Sequence, residues 1–216
     1  LATANAYLKA LDKVSDRETK AFIIRQLQLL GKDECVDTLA SYLNDENLSG
    51  PAARALSAIR TDNAKKVLVA SLMRRSGTPK TQKDIIRAIA DVQIADAENV
   101  LKAMLGSSDE NMQKEVLYAL SRVGSKASLS DLAAVAEKAG YKMEKTGANE
   151  AYIALIKRVL EQGDTKDAEK AANDLLKKST KAGMTQTREA ALQILLAAKP
   201  EAATKNLLSA LKDTDK

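Results

Sequence analysis

The chain has 216 residues, and 34 lysines and arginines against 29 acidic residues give it a formal net charge of +5. It contains no histidine and a single cysteine, which excludes histidine-dependent catalysis, a Cys/His zinc site and a disulfide within the chain. No apolar run approaches the about 18 residues that a membrane-spanning helix needs. We therefore expect neither an enzyme nor a cofactor-binding protein, and the composition leaves the cytoplasm and the periplasm both open.

The first predicted element is a single helix over residues 1–15, in which Tyr7 and Leu11, or Leu8 nearby, can serve as the B-helix pair spaced by four. After it, a 19-residue window recurs six times without internal gaps. The windows are spaced 29, 33, 31, 40 and 35 residues apart and begin at Arg25, Arg54, Arg87, Tyr118, Arg158 and Gln193.

Four columns of the window keep their residue type. The third residue is aliphatic in Leu27, Leu56, Ile89, Leu120, Leu160 and Leu195. The eleventh is small in Cys35, Ala64, Ala97, Ser128, Ala168 and Ala203. The fifteenth and nineteenth are Leu or Ala, in Leu39, Leu68, Leu101, Leu132, Ala172 and Leu207 and in Leu43, Leu72, Leu105, Ala136, Leu176 and Leu211. The last three columns are four residues apart, so they predict one buried stripe of a helix.

Each window therefore predicts a first helix A, a tight turn and a second helix B. Glycines such as Gly31 and Gly124 end A helices, Thr61 is placed to cap a B helix, and Asp45 and Asp109 are capping residues between units. The predicted fold is all-α, an α-α superhelix of about six stacked antiparallel helix pairs in a single domain over 1–216. Its units lie near 1–15 (partial), 17–47, 48–76, 80–107, 109–140, 149–180 and 185–216.

The A-helix pattern, as in Ala52-Ala53-Arg54-Ala55-Leu56, resembles that of bacterial HEAT-like repeats of the short type found in phycobilin lyases. Tetratricopeptide repeats are the alternative of similar length, but their Trp, Gly and Tyr signature columns are missing. The resemblance implies a right-handed superhelix that acts as a scaffold, with partners docking on the concave face formed by B helices. The candidates for that face are Lys66, Lys102, Glu137, Lys170, Lys177 and Lys205.

Two stretches break the repeat period. Residues 73–83 hold four basic side chains and no acidic one in a predicted loop, with Arg74, Arg75, Lys80 and Lys83 as candidate contacts for a phosphate or an acidic peptide. Residues 138–149 form a second insertion that includes Tyr141 and Met143. Insertions in repeat arrays map to loops on one edge, where partners can bind.

Cys35 and the clustered acidic residues have structural interpretations. Cys35 shares its column with alanines and serine, which predicts a buried, unreactive thiol rather than a nucleophile. The acidic turns near Asp45 and Asp109 lack the D-x-D-x-D-G spacing of a calcium loop. We predict no catalytic, cofactor or metal site.

The function expected from these features is a non-enzymatic protein-interaction scaffold with an unidentified protein partner. One alternative is a polyanion or nucleic-acid binder that uses the basic loop 74–83, although the spread-out charge and the lack of interleaved aromatic residues disfavour nucleic acid. Another is an accessory array of a larger bacterial cell-envelope enzyme. We also expect the chain to be cut from a longer array, so that uncapped ends near Leu207 and Leu211 can make end-to-end contacts.

Overall fold

The computed structural model describes residues 2–200. Within these residues the regular structure consists of twelve α-helices and three short 3-10 helices, and no β-strand is present. The chain divides into two compact units, one ending at Gly106 and the other beginning at Ser107.

The first unit stacks its helices in two layers. Its α-helices are α1 (Ala2–Lys13), α2 (Arg17–Leu30), α3 (Val36–Ser41), α4 (Ser49–Ile59), α5 (Asp62–Arg74), α6 (Pro79–Val92) and α7 (Glu98–Lys102). The A helices α2, α4 and α6 contact one another in succession, the B helices α3 and α5 pack together, and α1 packs on α2. Short 3-10 helices at Asp33–Cys35 and Ala95–Ala97 lead into α3 and α7.

The second unit repeats this arrangement. Its α-helices are α8 (Glu110–Val123), α9 (Leu129–Lys138), α10 (Ala148–Glu161), α11 (Thr165–Lys181) and α12 (Thr185–Ala198). Helix α10 contacts α8 and α12 in the A layer and also packs on the B helices α9 and α11. A 3-10 helix at Lys126–Ser128 leads into α9. The prediction of an all-α solenoid built from helix pairs is therefore confirmed.

Most residues of the repeat columns lie in the core, and the half-buried exceptions among the described residues are Leu105, Leu160 and Leu176. The small column is fully buried wherever the structure describes it, in Cys35, Ala64, Ala97, Ser128 and Ala168. Small side chains there let each B helix approach its A helix closely, and the aliphatic columns on either side fill the space between the layers. Ala203, Leu207 and Leu211, predicted members of the same columns, lie outside the described residues.

The predicted register is wrong in the unit formed by α10 and α11. Leu160 and Leu176 are only half-buried, whereas their neighbours Val159 and Leu175 are buried. A step of four residues overshoots a full helical turn by about 40°. After the one such step from Ala168 to Ala172, the long helix α11 takes a step of three instead, which brings Leu175 rather than Leu176 to the core.

The turns inside the units are closed in two ways. Gly31 and Gly124 end α2 and α8 in extended conformations, where an added Cβ would lie 2.6 Å from the Leu27 carbonyl oxygen and 2.5 Å from that of Leu120. Glycine is needed there for close approach and not for a left-handed conformation. At the equivalent turn after α4, Arg60 adopts φ 57 without glycine.

The predicted helix caps are confirmed at Thr61 and Asp109, whereas Asp45 stabilises only the turn before α4, whose own N-cap Leu48 makes no side-chain cap hydrogen bond. Thr61 caps α5 by accepting the backbone N–H of Ala64 at 3.2 Å. Asp109 caps α8 by accepting from the N–H of Asn111. Asp45 accepts from the N–H of Asn47 at 2.8 Å in the turn before α4. The Thr61 and Asp109 caps satisfy N–H groups that the first turn of a helix leaves without a partner.

Candidate functional site

The basic stretch predicted as a loop over 74–83 is mostly helical, so that part of the prediction is wrong. Arg74 is the last residue of α5, and Lys80 and Lys83 lie in the first turns of α6. The connecting turn is short because Thr78 caps α6 through the N–H of Thr81, and Pro79 fits the first helical position, where no N–H is needed.

Two of the four basic side chains are occupied within the protein. The Arg75 guanidinium donates to the Ala103 carbonyl oxygen at 3.1 Å, just beyond the end of α7. The Lys80 ammonium lies 3.1 Å from Asp84 Oδ2, which also accepts from the Ser49 hydroxyl. Arg74 is exposed and Lys83 is half-buried. The stretch therefore helps to hold its own unit together.

The lysines predicted for the B-helix face are found in different settings. Lys66 is exposed on α5, and Lys102, half-buried, is the last residue of α7. Lys170 is exposed on α11 and lines a groove in the second unit, whereas Lys177 on the same helix does not. Lys205 lies outside the described residues.

The groove runs between the B helices α9 and α11 and has a volume of about 430 Å³. It is open to solvent along its length and combines small side chains with charged ones. Its lining residues are Lys126, Leu129, Ser130, Ala133, Ala134, Glu137, Tyr152, Asp167, Lys170, Ala171, Asp174 and Lys178.

An ion pair closes each end of the groove. At one end Lys126, just before α9, lies 2.8 Å from Asp164 and 3.5 Å from Asp167 at the start of α11. At the other end Lys178, near the end of α11, lies 2.7 Å from Glu137 near the end of α9. The two helices therefore run parallel, start beside start and end beside end.

The hydrogen bonds within these ion pairs shift the pKa of both lysines. The bond to Asp164 raises the pKa of Lys126, and the bond to Glu137 raises the pKa of Lys178. Both ammonium groups are thus held in the charged form over the physiological pH range. The pairs are exposed, so they fix the ends of the groove more than they stabilise the fold.

The middle of the groove is asymmetric. The α9 wall presents Ala133 and Ala134, which are small and uncharged, while the α11 wall presents Lys170 and Asp174 one helical turn apart. Lys170 and Asp174 form no ion pair among the described residues. The opposite charges of Lys170 and Asp174 thus remain available to a molecule bound in the groove. The small side chains of Ala133 and Ala134 leave room for that molecule.

Tyr152 of α10 lies at the bottom of the groove and is 4% exposed. Burial, together with the negative charge of Asp174 and the neighbouring Tyr141, raises its pKa to about 12. The phenol therefore stays protonated near neutral pH and can take part in hydrogen bonds but not act as a general base.

The repeat pattern indicates Glu137 and Lys170 but not the other residues of the groove. A signal for its ends does exist in the sequence. Lys126 and Asp167 fall eight and nine residues after the starts of consecutive windows, and Glu137 and Lys178 fall nineteen and twenty residues after them. Opposite charges at nearly equal offsets in successive repeats indicate pairs between neighbouring B helices. Tyr152 lies outside this signal because it comes from an A helix.

The described residues place Cys35 in the core. Its side chain is fully buried, and burial raises the pKa of its thiol. The predicted burial of this cysteine is therefore confirmed. Among residues 2–200, no group of three or more Cys, Asp or Glu side chains is arranged to hold a metal ion. None of the helices in that range is both long enough and apolar enough to cross a bilayer.

Comparison with known proteins adds one finding about the fold. Residues 69–153 match the family model of HEAT repeats, which supports a HEAT-like repeat protein. No curated protein matches the chain.

Proposed function

We propose that this chain is a non-enzymatic protein-interaction scaffold and that the groove between α9 and α11 is a docking surface for a segment of a partner protein. HEAT repeats commonly mediate protein interactions, and residues 69–153 match that family. The short, phycobilin-lyase type of repeat and a bacterial origin belong to this proposal as well.

The observation that carries the proposal is the pair Lys170 and Asp174. Both side chains are exposed in a concave surface and neither forms an ion pair among the described residues, whereas the charges at both ends of the groove are paired. Small-molecule pockets are lined mostly by apolar and aromatic side chains. The mixed, charged lining found here is more typical of a protein contact, where charge pairs set register and specificity.

A partner segment fits this surface if it places an acidic group against Lys170 and a basic group against Asp174. Ala133 and Ala134 allow the partner backbone to approach α9 closely. The partner contacts then resemble helix-in-groove docking, in which positions one turn apart along a helix make the contacts.

Site-specific crosslinking tests the proposal. A photoreactive phenylalanine replaces Ala134 in the groove and, as the matched control, Ala154, an exposed alanine of α10 that does not line the groove. We expect a discrete crosslinked partner from position 134 and not from position 154. The partner is then identified and its purified form is shown to bind the unmodified chain.

Equal crosslinking from both positions contradicts the proposal. Crosslinking at position 134 that is unchanged when Lys170 is replaced by Glu contradicts it as well. The accessory-array alternative stays a prediction that the full-length gene tests.

A further inference from the structure

The second unit contains another cavity, of about 250 Å³, that is separate from the groove. It lies between the turn that follows α9 and the turn that joins α11 to α12. Tyr141, Lys142 and Met143 line it on one side, and Met184, Thr185 and Thr187 line it on the other.

Hydrogen bonds hold the start of the first turn in place. The Tyr141 N–H donates to the Ala136 carbonyl at 3.0 Å, and Tyr141 is buried although its φ is 58. The Thr187 hydroxyl donates to the Tyr141 carbonyl at 2.9 Å, and Asn149 Nδ2 donates to that hydroxyl at 2.7 Å. Side chains from α10 and α12 therefore fix the backbone immediately before Lys142.

The end of the same turn is fixed by Glu144. Its carboxylate accepts from the N–H of Thr146 at 2.7 Å, from the N–H of Ala148 at 3.0 Å and from the Thr146 hydroxyl. Only two residues, Lys142 and Met143, lie between the two anchored points. Met143 is 69% exposed, so the turn holds an apolar side chain in solvent at the rim of the cavity.

The lining of the cavity selects one chemistry. Met143 and Met184 supply flexible, polarizable surface that adapts to aliphatic groups of different shape. Lys142 is the one charged residue among those that line the cavity. Lys145, two residues beyond Met143, adds a second exposed positive charge to this turn. The carboxylate of Glu144 accepts hydrogen bonds from the N–H groups of Thr146 and Ala148 in its own turn.

We infer that this cavity is an anchor site for a partner protein segment that carries an aliphatic side chain next to a carboxylate. The aliphatic group enters between Met143 and Met184, and the carboxylate pairs with Lys142. The volume is below the about 300–1,000 Å³ of small-molecule pockets and suits a single side chain. A lipid surface would require a broad apolar face, whereas this site is concave and offers one exposed methionine.

Methyl NMR of the full chain tests this inference directly. The chain has five methionines, so ¹³C-methyl labelling gives five signals, which Met→Leu substitutions assign. The probe is acetyl-Asp-Leu-Glu-amide, with acetyl-Asp-Ser-Glu-amide and acetyl-Lys-Leu-Lys-amide as controls. We expect the first peptide alone to shift the Met143 and Met184 signals saturably at millimolar concentration. The Met73 signal should not move, although Met73 is 65% exposed beside Arg74 and Arg75.

Two lysine variants supply the charge control. Lys142→Glu should weaken the response to acetyl-Asp-Leu-Glu-amide at least several-fold, whereas Lys138→Glu, at an exposed position outside the cavity, should leave it unchanged. The signal of the buried Met112 reports that the second unit remains folded in each variant.

Three results would overturn the inference: no saturable shift of Met143 and Met184, equal shifts with a control peptide, or a response to anionic lipid vesicles without a response to the peptide. The groove between α9 and α11 plays no part in this experiment. Failure here therefore leaves the proposed function standing, and failure of the groove leaves this site standing.

Discussion

Lys178 of α11 and Glu137 of α9 are joined by a 2.7 Å ion pair across two parallel B helices. The pair at the opposite end, between Lys126 and Asp164, spans 2.8 Å. Together they hold the ends of the two helices in register and leave a groove between them. Exposed ion pairs contribute little to the stability of a fold, so their structural consequence is the shape of this surface.

Truncation of repeat-column leucines should be strongly destabilising. Leu56 is 1% exposed and Leu120 is fully buried, so Leu56→Ala and Leu120→Ala should each lower the free energy of unfolding by about 2–5 kcal/mol. Leu29→Ala is the control, because Leu29 is 77% exposed and should cost about 0.5 kcal/mol or less. Chemical denaturation measures all three, and similar losses at the three positions would contradict the core assignment.

The thiol of Cys35 should be protected in the native state. Burial removes the side chain from solvent and raises its pKa, so both access and the thiolate fraction are reduced. We expect a thiol reagent at pH 7 to react far more slowly with the folded chain than with the chain in denaturant. Equal rates in the two states would place Cys35 at the surface.

Protonation of Glu144 should loosen the turn at 139–147. Burial by itself raises the pKa of this carboxyl. The hydrogen bonds from Thr146 and from the backbone N–H of Ala148 lower the pKa by more than burial raises it, so the pKa lies below its usual value. A lowered pKa in the folded state gives stability that is present above the unfolded-state pKa of about 4.3 and is lost as the pH falls through the folded value.

Glu144→Gln should therefore reduce the stability near neutral pH and reduce the loss of stability on acidification. Denaturation between about pH 3 and 7 measures both effects. If the free energy of unfolding falls equally on acidification in Glu144→Gln and in the unsubstituted chain, this role of Glu144 is contradicted. Met143, next to Glu144, reports the local change through its methyl signal.

The basic residues 74–83 give the polyanion alternative a direct test. Arg75 and Lys80 already have partners within the protein, so we expect weak binding to a single-stranded oligonucleotide. Replacing Arg74, Arg75, Lys80 and Lys83 by alanine should then change that binding little. Polyanion binding through these residues would instead appear as tight binding that weakens steeply with salt and disappears in the variant.

The repeat period predicts the fold well because each unit must bury the same face. Leu27, Leu56 and Leu120 recur at one phase, and all three are buried. The prediction of a loop over 74–83 is wrong because a helix-start signal within that stretch outweighs its loop-like composition. Thr78 and Pro79 start α6 within a stretch that its basic residues and Gly77 made look like a loop.

The site is harder to predict than the fold because its parts come from different helices. Lys170 appears in the sequence as one of several exposed lysines, and its position in a groove depends on how α9 and α11 each pack on α10. The contribution of Tyr152 requires the A helix between them. Likewise, Tyr141 becomes an anchor of its turn only through Thr187 and Asn149, which are distant in sequence.

The affinity of the crosslinked and purified partner for Lys170→Glu, compared with Lys177→Glu, tests the central claim most directly. Both substitutions reverse the charge of an exposed lysine on α11, but only Lys170 lines the groove. We predict that Lys170→Glu raises the Kd about tenfold or more, as expected for loss of a specific charge contact, while Lys177→Glu leaves it nearly unchanged. Equal effects of the two substitutions, or none from either, would contradict docking in the groove.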